Sequence, residues 1–172
     1  METIPFQTIQ NTIDNICGLT TEEELDAISQ ALFDAQPALG SFFVEFIEDM
    51  GEGAKDLGFM MALILWKSFE EKYPDMRAMG EDEVIKKFEE QEGDLEKLLH
   101  LDDEMLEEIQ KSEMLSGQPE ILNYVTQELF ASDEPENELE EDEELHLFMV
   151  LRFFSSCLNE LAKEVGNAVV KH

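Results

Sequence analysis

Positive charge is what this sequence lacks most. Lysine and arginine together number 11 against 42 aspartates and glutamates, leaving a formal net charge of −31. A field of that sign repels nucleic acid and anionic membrane and attracts cationic surfaces. The expectation is therefore no direct nucleic-acid binding, no membrane binding, and a basic protein surface as partner. Cysteine is scarce too. Cys17 and Cys157 are the only two, each within an apolar helical pattern. The expectation is two reduced thiols packed as small hydrophobes, with a disulfide between them as the alternative. No apolar run is long enough to span a bilayer. The longest, Phe59 to Trp66, is eight residues, and Leu145 to Phe154 carries His146 and Arg152. The first ten residues hold no basic segment and no apolar stretch of signal-peptide type, so the chain reads as cytoplasmic. Strand alternation is almost absent. A glycine-rich phosphate loop and an ordered nucleophile–base pair are missing, which leans the reading away from an enzyme and implies no cofactor.

What the chain does have is core material. It is 43% hydrophobic, with 12 Phe and 9 Met, which argues against disorder despite the charge. The apolar residues recur at helical spacing. Phe6, Ile9, Ile13, Ile16 and Cys17 form a first stripe, ended by Gly18. Thr21, with Glu24 three residues on, is a capping box that opens a helix carrying Leu25, Ile28, Leu32 and Phe33. Pro37 suits a first helical turn and opens a third helix with Leu39, Phe42, Phe43, Phe46, Ile47 and Met50, broken by Gly51 and Gly53. A fourth covers about residues 55–73 and stops at Pro74. Its centre is apolar on every side, which predicts a place in the middle of the bundle.

The pattern then restarts. A helix over 83–91 turns Val84, Ile85 and Phe88 inward, is interrupted or kinked at Gly93, and continues with Leu95, Leu98 and Leu99. Asp102 or Asp103 caps the next, which carries Met105, Leu106, Ile109 and Met114. Pro119 opens another with Ile121, Leu122, Tyr124, Val125, Leu129 and Phe130, and a last helix covers about 143–165, frayed by Gly166. Shifting the chain by 82 residues lays Phe6 on Phe88, Ile13 on Leu95 and Ile16 on Leu98. The same shift lays Gln36-Pro37 on Gln118-Pro119, Leu39 on Ile121 and Phe42 on Tyr124. After six extra residues, Met61 meets Met149 and Trp66 meets Phe154. The fold expected is all-α: a bundle of about eight helices from two tandem four-helix repeats with pseudo-twofold symmetry. Residues 1–82 form the first repeat and 83–172 the second, packed as one globular domain.

The six extra residues fall in an acidic run. Asp133 to Glu144 holds nine carboxylates in twelve residues. Read plainly, it is a solvated connection followed by acids favoured at a helix N-terminus. Read functionally, Asp133, Glu134, Glu136, Glu138, Glu140, Glu141 and Asp142 form an electrostatic docking strip for a basic partner. Arg152, one of only two arginines, joins this candidate set as a clamp for a partner's carboxylate. Its plain reading is a snorkelling cation or a structural ion pair, and Lys67 beside Trp66 is its counterpart in the first half. Glu143 and His146 have the Glu-x-x-His spacing that puts a carboxylate and an imidazole on one helix face. Di-iron bundles use two such motifs and two further glutamates, whereas this chain has one. Three alternatives to the interaction module remain: a metal- or small-ligand-binding bundle with possible enzymatic activity, a nucleic-acid mimic, and an acidity that only keeps the protein soluble in a saline cytoplasm. A groove between the halves would also serve a homodimer.

Overall fold

A computed structural model describes residues 4–19, 21–99, 120–121, 124–125 and 141–170 of the protein. Most of the described residues are helical, with six named helices and no strand among them. The helices are α1 (Phe6–Cys17), α2 (Glu22–Ala35), α3 (Pro37–Ile47), α4 (Glu52–Lys72), α5 (Glu81–Leu99) and α6 (Glu141–Val170).

Local chemistry sets most of the boundaries. The Thr21 hydroxyl accepts from the Glu24 N–H at 3.2 Å, satisfying one of the donors that a helix start leaves open. Pro37 holds the first position of α3. A proline disfavours helical geometry in the residue before it, and Gln36 accordingly separates α2 from α3 at φ −134°, ψ 68°. Tyr73, ahead of Pro74, closes α4 in a similar conformation, φ −129°, ψ 70°. The expected break after α3 occurs, between Ile47 and Glu52 with Gly51 non-helical, although Gly53 already lies in the first turn of α4; α5 and α6 run on through Gly93 and Gly166 without interruption. A glycine weakens a helix by about 1 kcal/mol relative to alanine but keeps its N–H in the ladder, so it interrupts nothing by itself.

Two helices carry the core. In α4, Met61 through Trp66 are all buried, as their unbroken apolarity predicts. In α6, Leu147 through Leu151 are buried, and Phe153, Phe154, Cys157, Leu158, Leu161 and Ala162 extend that surface. Helix α4 packs against α1, α2, α3 and α6, and α6 packs against α3, α4 and α5. The central pair runs in one direction. The α4 start meets the α6 start where the Gly51 N–H donates to the Glu143 carboxylate at 3.0 Å. Beyond the α4 end, Arg77 bonds Glu164 near the α6 end. Between these points the helices approach closely, because a Cβ placed on Gly58 would lie 2.6 Å from the Leu147 Cδ2.

The outer faces modify three expectations. Helix α1 buries Ile9, Thr12 and Ile16, so Cys17, one step round from Ile16, is exposed. Phe6 is exposed as well, and Ile4 is the residue fully buried ahead of the helix. In α5, Val84 is buried but its neighbour Ile85 is 46% exposed, because successive helical residues point about 100° apart. The buried hydroxyls of Thr12 and Ser68 donate to the carbonyls of Thr8 and Ile64 one turn back, which avoids the cost of an unpaired polar group.

Candidate functional site

Asp133, Glu134, Glu136, Glu138 and Glu140 lie outside the described residues, as do His100 and Gln118-Pro119. Glu141 and Asp142 open α6. Glu143 and His146 stand three positions apart on that helix and are both half-buried. The Glu143 carboxylate binds the N–H of Gly51, the N-cap residue of α4, where a negative charge is favoured by the helix dipole. Among the described residues no three His, Cys, Asp or Glu side chains converge as a metal-binding group. Arg152 is half-buried on α6, within the run of buried residues from Leu147 to Phe154. Lys67 lies 5.6 Å from the centroid of the Trp66 ring and 3.4 Å from a Glu70 oxygen.

Arg77, which nothing in the sequence had marked, ties α5 to α6. It lies in the link between α4 and α5 and meets two carboxylates at once. Its Nη1 and Nη2 bond the two Glu83 oxygens at 2.8 Å each, and its Nε bonds Glu164 at 2.8 Å. The paired hydrogen bonds from Arg77 hold the Glu83 carboxyl below its ordinary range. One turn along α5, Lys87 pairs with Glu160 of α6. These contacts stitch α5 to α6 over Cys157, whose thiol is pushed up to about 12, chiefly by burial. Cys157 is thus held as an inert thiol.

A second feature lies where α3 and α5 begin. Gln36 is 1% exposed and spans to the α4–α5 link. Its side-chain amide donates to the Arg77 carbonyl at 2.8 Å and accepts from the Met79 N–H at 3.0 Å. That two-way bond places the start of α3 beside the start of α5. Between the two helices runs a trough of about 420 Å³. Of the residues that line it, Val84 is buried, Phe42 and Ala38 are half-buried and form with it the apolar floor, and Pro37, Ser41, Glu45, Glu81 and Ile85 are exposed around them. Phe42 is held by aromatic packing. Phe42 lies 5.0 Å from Phe88 and 5.2 Å from Phe153, ring centre to ring centre, and Phe46 also packs on Phe88 at 6.2 Å. Such pairs contribute about 0.5–1.5 kcal/mol each beyond the area they bury.

The sequence pattern assigned Ile85 to the core and gave Glu45 and Glu81 no role. The trough depends on how two helices separated by the whole of α4 come together, and periodicity along either helix does not report that. Compared with known proteins, the chain matches no family model, no curated protein and no solved structure.

Proposed function

We propose that this protein is a non-enzymatic acidic helical interaction module that binds a basic protein surface by electrostatic steering, acting in the cytoplasm. The observation that carries the reading is the distribution of charge around a well-built core. The net charge is −31. Several of the few cations are engaged internally, Arg77 with Glu83 and Glu164, Lys87 with Glu160 and Lys67 with Glu70. Carboxylates such as Glu22, Glu23, Asp26, Glu48, Asp49 and Asp56 stand exposed. A surface so unbalanced speeds encounter with a cationic partner and gives the complex a steep dependence on salt. In this reading Asp133, Glu134, Glu136, Glu138, Glu140, Glu141 and Asp142 form the docking strip and Arg152 meets a carboxylate of the partner.

The proposed architecture behind it is two tandem four-helix repeats, residues 1–82 and 83–172, packed as one domain with pseudo-twofold symmetry. What supports this is the central pair. Helices α4 and α6 run parallel, and the residues matched by sequence, Met61 with Met149 and Trp66 with Phe154, are all buried. Leu39 and its counterpart Ile121 are buried too. Phe6 and Phe88 depart from the pattern, since the first is exposed and the second packs among three aromatic rings. The metal-binding alternative receives less support, because Glu143 already serves the α4 N-terminus.

The test is affinity capture at about 50 mM and about 500 mM salt, a span over which surface electrostatics are heavily screened. Basic proteins are expected at the lower concentration and released at the higher. Replacing the seven acids of the strip by their amides should lower the yield. Capture with no enrichment of basic proteins, or capture indifferent to salt, would defeat the reading.

A further inference from the structure

We propose that the trough between α3 and α5 is the specificity groove of this module, and that its occupant is a short amphipathic basic helix with an apolar anchor. The proposal rests on the reading of the protein as a binder of basic partners and adds where the partner's apolar residue goes. The trough has the two parts such a ligand needs. Its floor is apolar, with Phe42 packed against the Phe88 and Phe153 rings and Val84 buried. Ile85, 46% exposed, leaves a large aliphatic side chain on the edge of the floor. The wall carries Glu45 and Glu81, both exposed, and no lysine or arginine is among the described residues that line the trough. An apolar side chain dropped onto Phe42 and Ile85 would place flanking cations one turn away against these two carboxylates. That is the helix-in-groove arrangement, in which apolar anchors supply affinity and flanking charge supplies register.

The shape favours a protein segment over a small molecule. Ligand pockets bury about 70–90% of a small ligand, whereas Pro37, Ser41, Glu45, Glu81 and Ile85 of this trough all face solvent. A second copy of the chain is disfavoured by charge. It would bring its own acids against Glu45 and Glu81, with a net charge of −31 on each molecule.

The test uses two fluorescent peptides of about twelve residues with equal positive charge. One carries leucines at helical i, i+3, i+4 and i+7 positions among lysines, and the other has serine in place of each leucine. Fluorescence anisotropy on the full chain at low salt is expected to show the leucine peptide binding at least about tenfold more tightly, a margin of about 1.4 kcal/mol. Two single variants at exposed positions should remove that margin. Ser41→Trp fills the trough, and Ile85→Glu places a charge on the floor's edge. Ile85→Glu also adds a negative charge, so attraction by charge alone would raise affinity for both peptides, whereas occupancy of the trough lowers it for the leucine peptide only. Trp66 emission reports that the Ile85 variant remains folded, and far-ultraviolet circular dichroism serves for both variants. Equal binding of the two peptides by the native protein, or a margin that survives both variants, would overturn the groove while leaving the basic-partner reading intact. A dimer dissolved by Ile85→Glu would make a second copy the occupant and overturn it too. No binding of either peptide would remove both readings.

Discussion

Gln36 offers the sharpest test of how the described helices are held together. Its amide is 1% exposed and forms both bonds to the α4–α5 link, one to the Arg77 carbonyl and one from the Met79 N–H. Gln36→Met keeps the length of the side chain and removes both bonds. The two losses are unequal. Met79 is 2% exposed, so its N–H is left buried without a partner, at about 1–3 kcal/mol. Arg77 is exposed, so water can replace the bond to its carbonyl at little net cost. The expected destabilisation is about 2 kcal/mol, which for a domain of this size lowers Tm by about 4–8 °C. Urea unfolding followed by the emission of Trp66, buried at 2% exposure, reads the stability change. Hydrogen exchange at the Met79 amide reads the mechanism, because that proton should lose its protection in the variant. A change below about 0.5 kcal/mol, or unchanged exchange at Met79, would refute the argument that this amide staples the link.

Other sites give independent checks. Gly58→Val should destabilise the fold by about 1–3 kcal/mol, because its Cβ would meet the fully buried Leu147 at 2.6 Å, whereas Gly53→Ala in the same helix has nothing within 4 Å and should be neutral or stabilising by up to about 1 kcal/mol; chemical denaturation compares them, and equal effects would contradict the close α4–α6 approach. Arg77→Gln should cost no more than about 1 kcal/mol, since all three side chains of that network are about half exposed and solvent screens them. Because Arg77 lowers the Glu83 carboxyl, its stabilisation is present above the ordinary value of 4.5 and is lost as the pH falls through the lower folded value, so the variant should show a flatter acid limb below about pH 4.5 in a stability–pH series. With a thiol reagent at pH 8, the native protein should take one label, at exposed Cys17, and a second only after unfolding exposes Cys157, whose thiol burial pushes to about 12; two labels on the native protein, seen by intact mass, would count against the α5–α6 packing over Cys157.

The order in which these features became legible follows from the range of the forces behind them. Binary patterning and end signals act within a few residues, so Thr21, Pro37 and Pro74 marked helix ends from the sequence. The unbroken apolarity of Met61 to Trp66 likewise marked the central helix. Stripe positions at helix ends were less legible. Phe6, Cys17 and Ile85 fitted the apolar period, yet each is exposed. Period alone gives the direction of a side chain, not whether another helix lies on that side.

The sequence by itself determined that the described chain is helical, where several of its helices begin, which helix occupies the centre, and that its net charge is strongly negative. Tertiary structure alone decided what those parts do together. It turned Gln36 from half of a repeated dipeptide into the bond that sets α3 beside α5. It gave Arg77 two carboxylates 6 and 87 positions away along the chain. It opened a trough between helices that α4 separates in sequence. The physical reason is that helix propensity and amphipathic period are summed locally along one segment, whereas a groove or an ion-pair node exists only once distant backbones have been fixed relative to one another.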